Sequence, residues 1–189
     1  MTVAKPRRRS LLDKSLLYLF SFDVEADANR QNIGFVPGGV RVNIQARPNL
    51  SRVYHVLRDR SIAGTGSPAI SGTIEWGGDW LDLRDDDIGF SDVKFAIRTD
   101  DDAVIYGTYP VTCYLGSGGQ RRLIKAGSDR DKLGTEKEPF DIPLITTPRF
   151  TTTSKVYSWL SELQCMGVGR IRVVRNEFRR ITYDVYSLS

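Results

Sequence analysis

The stretch ISGTIEWGGDWLDLRDDDIGFSDVKFAIRTDDDAVIY, residues 70–106, decides the fold class. Apolar residues alternate with small or polar ones over residues 70–76, and two alternating segments, 92–98 and 103–106, flank the polar turn 99–102. Alternation with a period of two is typical of strands, and a short Asp-rich turn between two such segments indicates a β-hairpin. The segment Gly-Gly-Asp-Trp at 77–80 predicts a further turn between two strands. The stretch therefore predicts antiparallel β-sheet.

The rest of the chain carries the same pattern. Strands are predicted at residues 15–24, 40–45, 51–57, around 62, and at 70–76, 80–83, 88–98, 103–114, 140–144, 150–159, 163–168 and 181–188, with one or two helical turns as the alternative for 154–163. Such short strands without long helices predict an all-β sandwich or barrel. An antiparallel closed β-barrel of about eight or more strands is favoured, because pairing of the two apolar terminal strands removes the exposed edges.

The domain organisation follows from length and composition. A chain of 189 residues with 40% hydrophobic content is long enough for one domain with a sizeable core. Residues 1–14 form a basic tail, which we expect to be flexible and which carries much of the formal charge of +4. Residues 15–189 form the barrel domain, and the Gly- and charge-rich segment 115–138 is predicted to be a lid-like loop.

Several function classes are disfavoured. The apolar run 16–20 is far shorter than the roughly 20 residues that cross a bilayer, so we predict no membrane partner and a cytoplasmic location. Cys113 and Cys165 predict two independent thiols. Without its tail the chain is almost neutral, which predicts no nucleic-acid partner. The arginines near the C-terminus leave an interaction module for an acidic partner as a lesser alternative.

The chain has no metal-binding or nucleophile motif. His55 is its only histidine, and the two cysteines lack metal-ligand spacing, so no metal is predicted. No G-x-S-x-G segment accompanies the histidine, and the Gly-rich runs at 64–66 and 116–119 complete no phosphate-binding fingerprint. Catalytic chemistry, if present, must come from tyrosine, arginine and carboxylate side chains.

Three tyrosines and one arginine are candidates for such chemistry. Tyr106, Tyr109 and Tyr114 lie within nine residues, and Arg41 lies on the polar face of an otherwise apolar strand. Strand alternation places Tyr106 and Tyr114 on one face and Tyr109 on the other, unless a bulge changes the phase. Tyrosines are also common at the wet rims of sheets without any catalytic role.

Asp79, beside Trp80, is the candidate carboxylate of the sheet. If it is buried, desolvation would raise its pKa and suit it to proton transfer, whereas an exposed Asp79 would be a turn cap. The sequence leaves both possibilities open.

The order and spacing of eight short segments resemble the DUF3237 family of small β-barrels. They are SIAG at 61–64, PAISG at 68–72, GGDW at 77–80, RTDD at 98–101, AVIY at 103–106, TPRF at 147–150, YSWL at 157–160 and YDVY at 183–186. The resemblance covers the chain from about Leu16 to its end, and it extends to fungal isomerases of the brevianamide-type semipinacolase class.

The resemblance implies a cofactor-independent isomerase or cyclase of secondary metabolism. Its reaction would be a semipinacol-type rearrangement of an oxidised indole alkaloid, a bulky apolar substrate, and the protein would be a homodimer. The implied catalytic residues are Arg41, Tyr109, Tyr114 and Glu138, and the implied substrate-binding residues are Asp79, Trp80, Tyr106 and Glu136. Asp79 remains an alternative to the two glutamates as the acting carboxylate. A non-catalytic barrel that binds a small apolar ligand is the other interpretation.

Overall fold

The computed structural model describes residues 16–27, 31–54, 69–116, 139–174 and 177–188. The strands in these ranges are β1 (Leu16–Glu25), β2 (Gln31–Val36), β3 (Gly39–Gln45), β4 (Arg52–Tyr54), β5 (Gly72–Arg84), β6 (Ile88–Thr99), β7 (Val104–Tyr114), β8 (Phe140–Thr146), β9 (Arg149–Thr152), β10 (Cys165–Val174) and β11 (Glu177–Leu188). Two short 3-10 turns, Pro48–Leu50 and Ser158–Glu162, accompany them. The second turn confirms the helical alternative for part of 154–163.

Eight of the strands close into an antiparallel barrel. Their order around it is β5-β4-β1-β11-β10-β8-β7-β6, and the pairing of β6 with β5 completes the circle. The terminal strands pair as predicted, since Leu16 lies opposite Leu188. Strands β2, β3 and β9 add to this barrel: β3 and β9 pair with the edges of β5 and β7, and β2 pairs with β3. The predicted fold class is therefore confirmed.

One half of the barrel interior is packed with apolar side chains. Phe20, Ile97, Ile105 and Phe150 are completely or almost completely buried there. Leu160, from the 3-10 turn after β9, is buried with them. This half is the hydrophobic core that holds the barrel together.

A layer of four aromatic side chains crosses the middle of the barrel. Phe22 of β1, Phe95 of β6, Tyr109 of β7 and Tyr183 of β11 contact one another in a closed cycle, with ring centroids 4.8 to 6.0 Å apart. The Phe95 ring lies directly across Gly107, its cross-strand partner, where a Cβ atom would come within 2.1 Å of the ring. The missing side chain at Gly107 thus makes room for the layer.

Strand β5 is continuous through residues 77–80, so the turn predicted there is wrong. It pairs with β6 on one side and with β3 on the other along this segment, and these ladders override the local preference of Gly-Gly-Asp-Trp for a turn. The β5–β6 register shifts between Ile74 and Trp76, which marks a bulge. Because the bulge changes the phase, Ile74, Asp79 and Leu81 all face the interior.

A second bulge lies in β1, between Tyr18 and Phe20. Tyr18 stands on the outer face, where its hydroxyl lies 2.9 Å from Ser21 Oγ, whereas Phe20 and Phe22 are buried inside. Unbroken alternation along residues 15–24 would place Tyr18 on the same face as these phenylalanines, and the bulge separates them.

Candidate acid–base site

A cavity of about 60 Å³ lies on the other side of the aromatic layer, toward the end of the barrel where β7 ends and β8 begins. Its walls are mostly apolar, with Val24, Ile44, Leu81, Val111, Leu144 and Ile171 among them. Among the residues that the structure describes, few polar groups line it: Asp79, Ser91, Cys113, Gln45 and the tyrosines of the aromatic layer. A small number of polar groups in an apolar cavity is typical of a ligand site.

Asp79 is the carboxyl group of the cavity. Ser91, from the neighbouring strand β6, donates its hydroxyl proton to Asp79 Oδ1. Burial disfavours the charged form and, together with the nearby charge of Asp92, raises the pKa of Asp79 from its ordinary 3.8 to about 7. The carboxyl can therefore both accept and release a proton near neutral pH.

Tyr109 and Tyr183 form a buried hydroxyl pair. Their rings meet edge to face at 5.6 Å, and the two hydroxyl groups interact with each other through a hydrogen bond in which either can donate. Burial raises the pKa of both phenols, so both stay protonated at neutral pH. The charge of Asp79 raises the pKa of Tyr109 further, which shows that these two groups lie within electrostatic reach. Because a hydrogen bond between the two hydroxyls uses only one of their two protons, the other proton can be donated to a ligand.

Cys113 adds a thiol to the cavity wall. Burial raises its pKa to about 11, and the charge of Asp79 acts in the same direction. The thiol is therefore protonated at neutral pH and is a weak nucleophile. Cys113 and Cys165 are both free, which confirms the prediction of two independent thiols.

Arg41 and Tyr114 lie on the outside of the barrel. The Arg41 guanidinium makes two hydrogen bonds to Asp82, at 2.6 and 2.7 Å, and its side chain is 45% exposed. This pair lowers the pKa of Asp82. Tyr114 is 60% exposed. The structure does not bring either residue to the cavity.

Trp80 and Tyr106 also face outward. Trp80 is 48% exposed, and the Tyr106 ring lies 6.1 Å from that of Trp76 on the outer surface. The β6–β7 pairing continues without a register shift, so Tyr109 is inside and Tyr106 and Tyr114 are outside, as strand alternation predicts. Of the eight residues implied by the resemblance, the structure places Asp79 and Tyr109 at the cavity.

Several other predictions fall outside the described residues or are untested. Glu136, Glu138 and most of the lid-like segment lie outside the described ranges. The homodimer and the cytoplasmic location remain predictions. In the part of the chain that the structure describes, no three His, Cys, Asp or Glu side chains are grouped to hold a metal ion. No helix in the same ranges is long and apolar enough to cross a membrane.

Sequence reasoning missed Ser91 and Tyr183. Ser91 alternates with Val93 and Phe95 on the inner face of β6, so the phase of that strand could have located it. Tyr183 belongs to the YDVY segment, and its alternation with the buried Val185 carries the same signal.

These features define a class of protein. It is a closed antiparallel eight-stranded β-barrel whose apolar cavity is lined by the Asp79 carboxyl group and a pair of tyrosines. Residues 15–188 match the family model described as protein of unknown function (DUF3237). The chain belongs to this family, and the resemblance to DUF3237 inferred from the sequence is confirmed.

Solved structures share the fold. A conserved protein of unknown function from Rhodopseudomonas palustris is 24% identical with a TM-score of 0.66, and the match covers 93% of this chain and 98% of that one. A protein of unknown function from Clostridium acetobutylicum is 19% identical, with a TM-score of 0.65 and coverage of 93% and 99%. An enzyme from Penicillium herquei is 13% identical, with a TM-score of 0.56 and complete coverage of both chains. The comparison with curated proteins gave no match.

Proposed function

We propose that the protein is a cofactor-independent acid–base isomerase or cyclase whose reaction takes place in the barrel cavity. The observation that carries this proposal is Asp79, a half-buried carboxyl with a pKa of about 7 that faces the same cavity as the Tyr109 hydroxyl. A general base is most effective when its pKa lies near the working pH. The fold that the chain shares with an enzyme from Penicillium herquei is compatible with this proposal.

The two groups have complementary roles. Asp79 removes a proton from the substrate, and Tyr109, supported by the Tyr183 hydroxyl, donates a hydrogen bond or a proton to the atom that gains negative charge. The apolar walls exclude water and restrict the conformation of the substrate. Ser91 holds one oxygen of Asp79 and so fixes the direction of the carboxyl group.

The finer proposal is the semipinacol rearrangement that the family resemblance implies. In a 3-hydroxyindolenine, Asp79 takes the proton of the hydroxyl group, whose C–O bond becomes a carbonyl. The migrating group moves with its bonding electrons to the neighbouring imine carbon, and Tyr109 protonates the imine nitrogen. Proton transfer from Asp79 back to the tyrosine restores the site, and no oxidant or reductant is needed.

The size of the cavity limits how a bulky substrate can bind. Its volume of about 60 Å³ is well below the roughly 300–1,000 Å³ of pockets that enclose drug-sized ligands. A bulky substrate would therefore place its reacting end beside Asp79 and Tyr109, and the remainder would extend through the end of the barrel. The reacting end must be largely apolar to match the walls.

A barrel that only binds a small apolar ligand is the second candidate, because the same apolar walls would serve it. The two candidates differ in the need for Asp79. Binding to apolar walls gains nothing from a carboxyl group that must be desolvated, whereas proton transfer requires one.

Turnover of a 3-hydroxyindolenine tests the proposed function. The product would be measured by chromatography for the unmodified protein, for Asp79→Asn and Tyr109→Phe, and for Asp82→Asn as a control on the outer face of the same strand. We expect the Asp79 variant to lose at least about 100-fold in rate, the Tyr109 variant at least about 10-fold, and the control almost nothing. Equal turnover by all four proteins would exclude a role for this cavity in the rearrangement.

A further inference from the structure

We propose that the cavity also catalyses proton transfer at a carbon atom next to a carbonyl group, so that small neutral ketones and aldehydes with an α-hydrogen are substrates. This inference rests on the proposed function and names a substrate class for the same site. It comes from the charge, the hydrogen-bonding capacity and the size of the cavity.

The charges of the cavity favour a neutral substrate. The described lining residues include no Arg, Lys or His that could neutralise a carboxylate or a phosphate. Asp79, when ionised, would repel either group at short range. Apolar side chains form most of the remaining wall, so a neutral and largely apolar molecule fits best.

The hydroxyl pair favours a carbonyl oxygen. Both tyrosines line the cavity, and a hydrogen bond between their hydroxyls uses only one of the two protons, so the proton of Tyr109 is available to an acceptor when Tyr183 is the donor. A ketone oxygen accepts this hydrogen bond, and the bond strengthens as negative charge develops on the oxygen. The tyrosine pair therefore stabilises an enolate more than the ketone from which it forms.

Asp79 supplies the base for the same molecule. Its carboxylate takes the α-proton, the electrons of the broken C–H bond form a C=C bond, and the carbonyl π electrons move to the oxygen that Tyr109 hydrogen-bonds. Return of the proton to the same carbon regenerates the ketone. In a β,γ-unsaturated ketone, return to the γ-carbon instead moves the double bond into conjugation. Atoms and electrons balance in both cases without a cofactor.

The cavity size fits the reacting unit of such a substrate. A dry cavity of about 150 Å³ can hold benzene, so the present 60 Å³ suits a few heavy atoms rather than a complete ring system. Acetone and cyclohexanone are suitable probes, because one is small and the other must extend from the cavity.

The test is exchange of α-protons with solvent deuterium, followed by the loss of the α-proton NMR signal of acetone and cyclohexanone in D2O. We expect the full-length protein to accelerate exchange at least 10-fold over buffer, with a rate that rises through pH 7 as Asp79 ionises. Asp79→Asn should reduce the enzymatic rate at least 100-fold and Tyr109→Phe at least 10-fold, whereas Asp82→Asn should leave it unchanged. Circular dichroism is the control that each variant is folded.

Ser91→Ala tests whether the hydrogen bond from Ser91 to Asp79 supports proton transfer. Ser91 donates to the charged form of Asp79, so its removal should shift the midpoint of the pH–rate profile to higher pH as well as lower the rate. A purely structural role for Ser91 would lower the rate without moving the midpoint.

The outcomes separate this inference from the proposed function. Exchange that depends on Asp79 supports the inference, whether or not a 3-hydroxyindolenine rearranges. Rearrangement that depends on Asp79, with no exchange of either ketone above buffer, overturns the inference and leaves the proposed function in place. If neither reaction occurs, both are wrong, and ligand-detected NMR of cyclohexanone then tests the binding barrel.

Discussion

At the scale of single residues, the role proposed for Asp79 opposes the stability of the fold. The rise of its pKa from 3.8 to about 7 corresponds to about 4 kcal/mol between the two protonation states. Between these two values the folded protein binds more protons than the unfolded chain. The free energy of unfolding therefore decreases as the pH rises from about 4 to about 7. Above about pH 8 Asp79 is ionised, and the folded state is destabilised by the full amount.

Asp79→Asn should remove this cost. We expect the variant to be more stable than the unmodified protein by about 2–4 kcal/mol at pH 8 and nearly equal to it at pH 4, because only the ionised carboxyl is penalised. Urea unfolding at the two pH values measures the difference. A gain that does not change with pH would show that Asp79 is not desolvated. Asp82→Asn, the outer-face control, should show no such gain at pH 8, because Arg41 lowers the pKa of Asp82.

Tyr183→Phe should separate the support of Tyr109 from the packing of the aromatic layer. The ring remains, so the variant is expected to fold, but Tyr109 loses its hydrogen bond with the Tyr183 hydroxyl. We expect a roughly 10-fold lower kcat for α-proton exchange with little change in KM, because the lost interaction acts mainly on the developing charge. Tyr54→Phe, on the outer face, is the control and should leave both constants unchanged. A change in KM alone would contradict the assigned role.

At the scale of strands, the sequence predicted which face of the sheet a side chain occupies better than it predicted where bulges and turns interrupt a strand. The alternation of β7 correctly separated Tyr109 from Tyr106 and Tyr114, and that of β3 correctly placed Arg41 on a polar face. The family resemblance, not the strand pattern, implied that Arg41 is a catalytic residue.

Strand β5 shows why the position of Asp79 inside the barrel could not be predicted from the sequence. Unbroken alternation from Ile74 would turn Asp79 outward, and the local sequence favours a turn. The bulge that turns Asp79 inward depends on pairing with β6, a contact that single-sequence periodicity does not contain. The inward position of Asp79, on which its raised pKa depends, is a consequence of tertiary structure.

Strand β10 depends on a close approach to β11 at Gly169. A Cβ atom there would lie 2.0 Å from the Thr182 carbonyl oxygen and 2.3 Å from Tyr183 Cβ, so the two strands would have to separate. We expect Gly169→Ala to cost about 3 kcal/mol or more, measured by urea unfolding. Gly78→Ala is the matched control, since its nearest neighbours would be 3.8 and 4.0 Å away, and it should change stability by less than about 1 kcal/mol. Equal costs would show that β10 and β11 are not in such close contact.

At the scale of the whole molecule, the aromatic layer divides the barrel along its axis. In the packed half, Phe20, Ile97 and Ile105 are fully buried and line no part of the cavity, whereas Leu81, Val111 and Ile171 in the other half form its wall. Stability should therefore depend mainly on the first half and ligand selection on the second, although both are built from the same strands.

Two chemically identical substitutions test this division. Ile105→Ala, in the packed half, removes contacts on all sides and should cost about 2–5 kcal/mol in urea unfolding. Ile171→Ala, at the cavity wall, removes atoms that already border a space, so we expect a smaller cost of about 1–2 kcal/mol. Because it enlarges the cavity, Ile171→Ala should also increase the exchange rate of cyclohexanone relative to acetone, whereas Ile105→Ala should leave that ratio unchanged for the folded protein. The same cost and the same ratio in both variants would mean that the aromatic layer does not separate a stabilising half from a functional one.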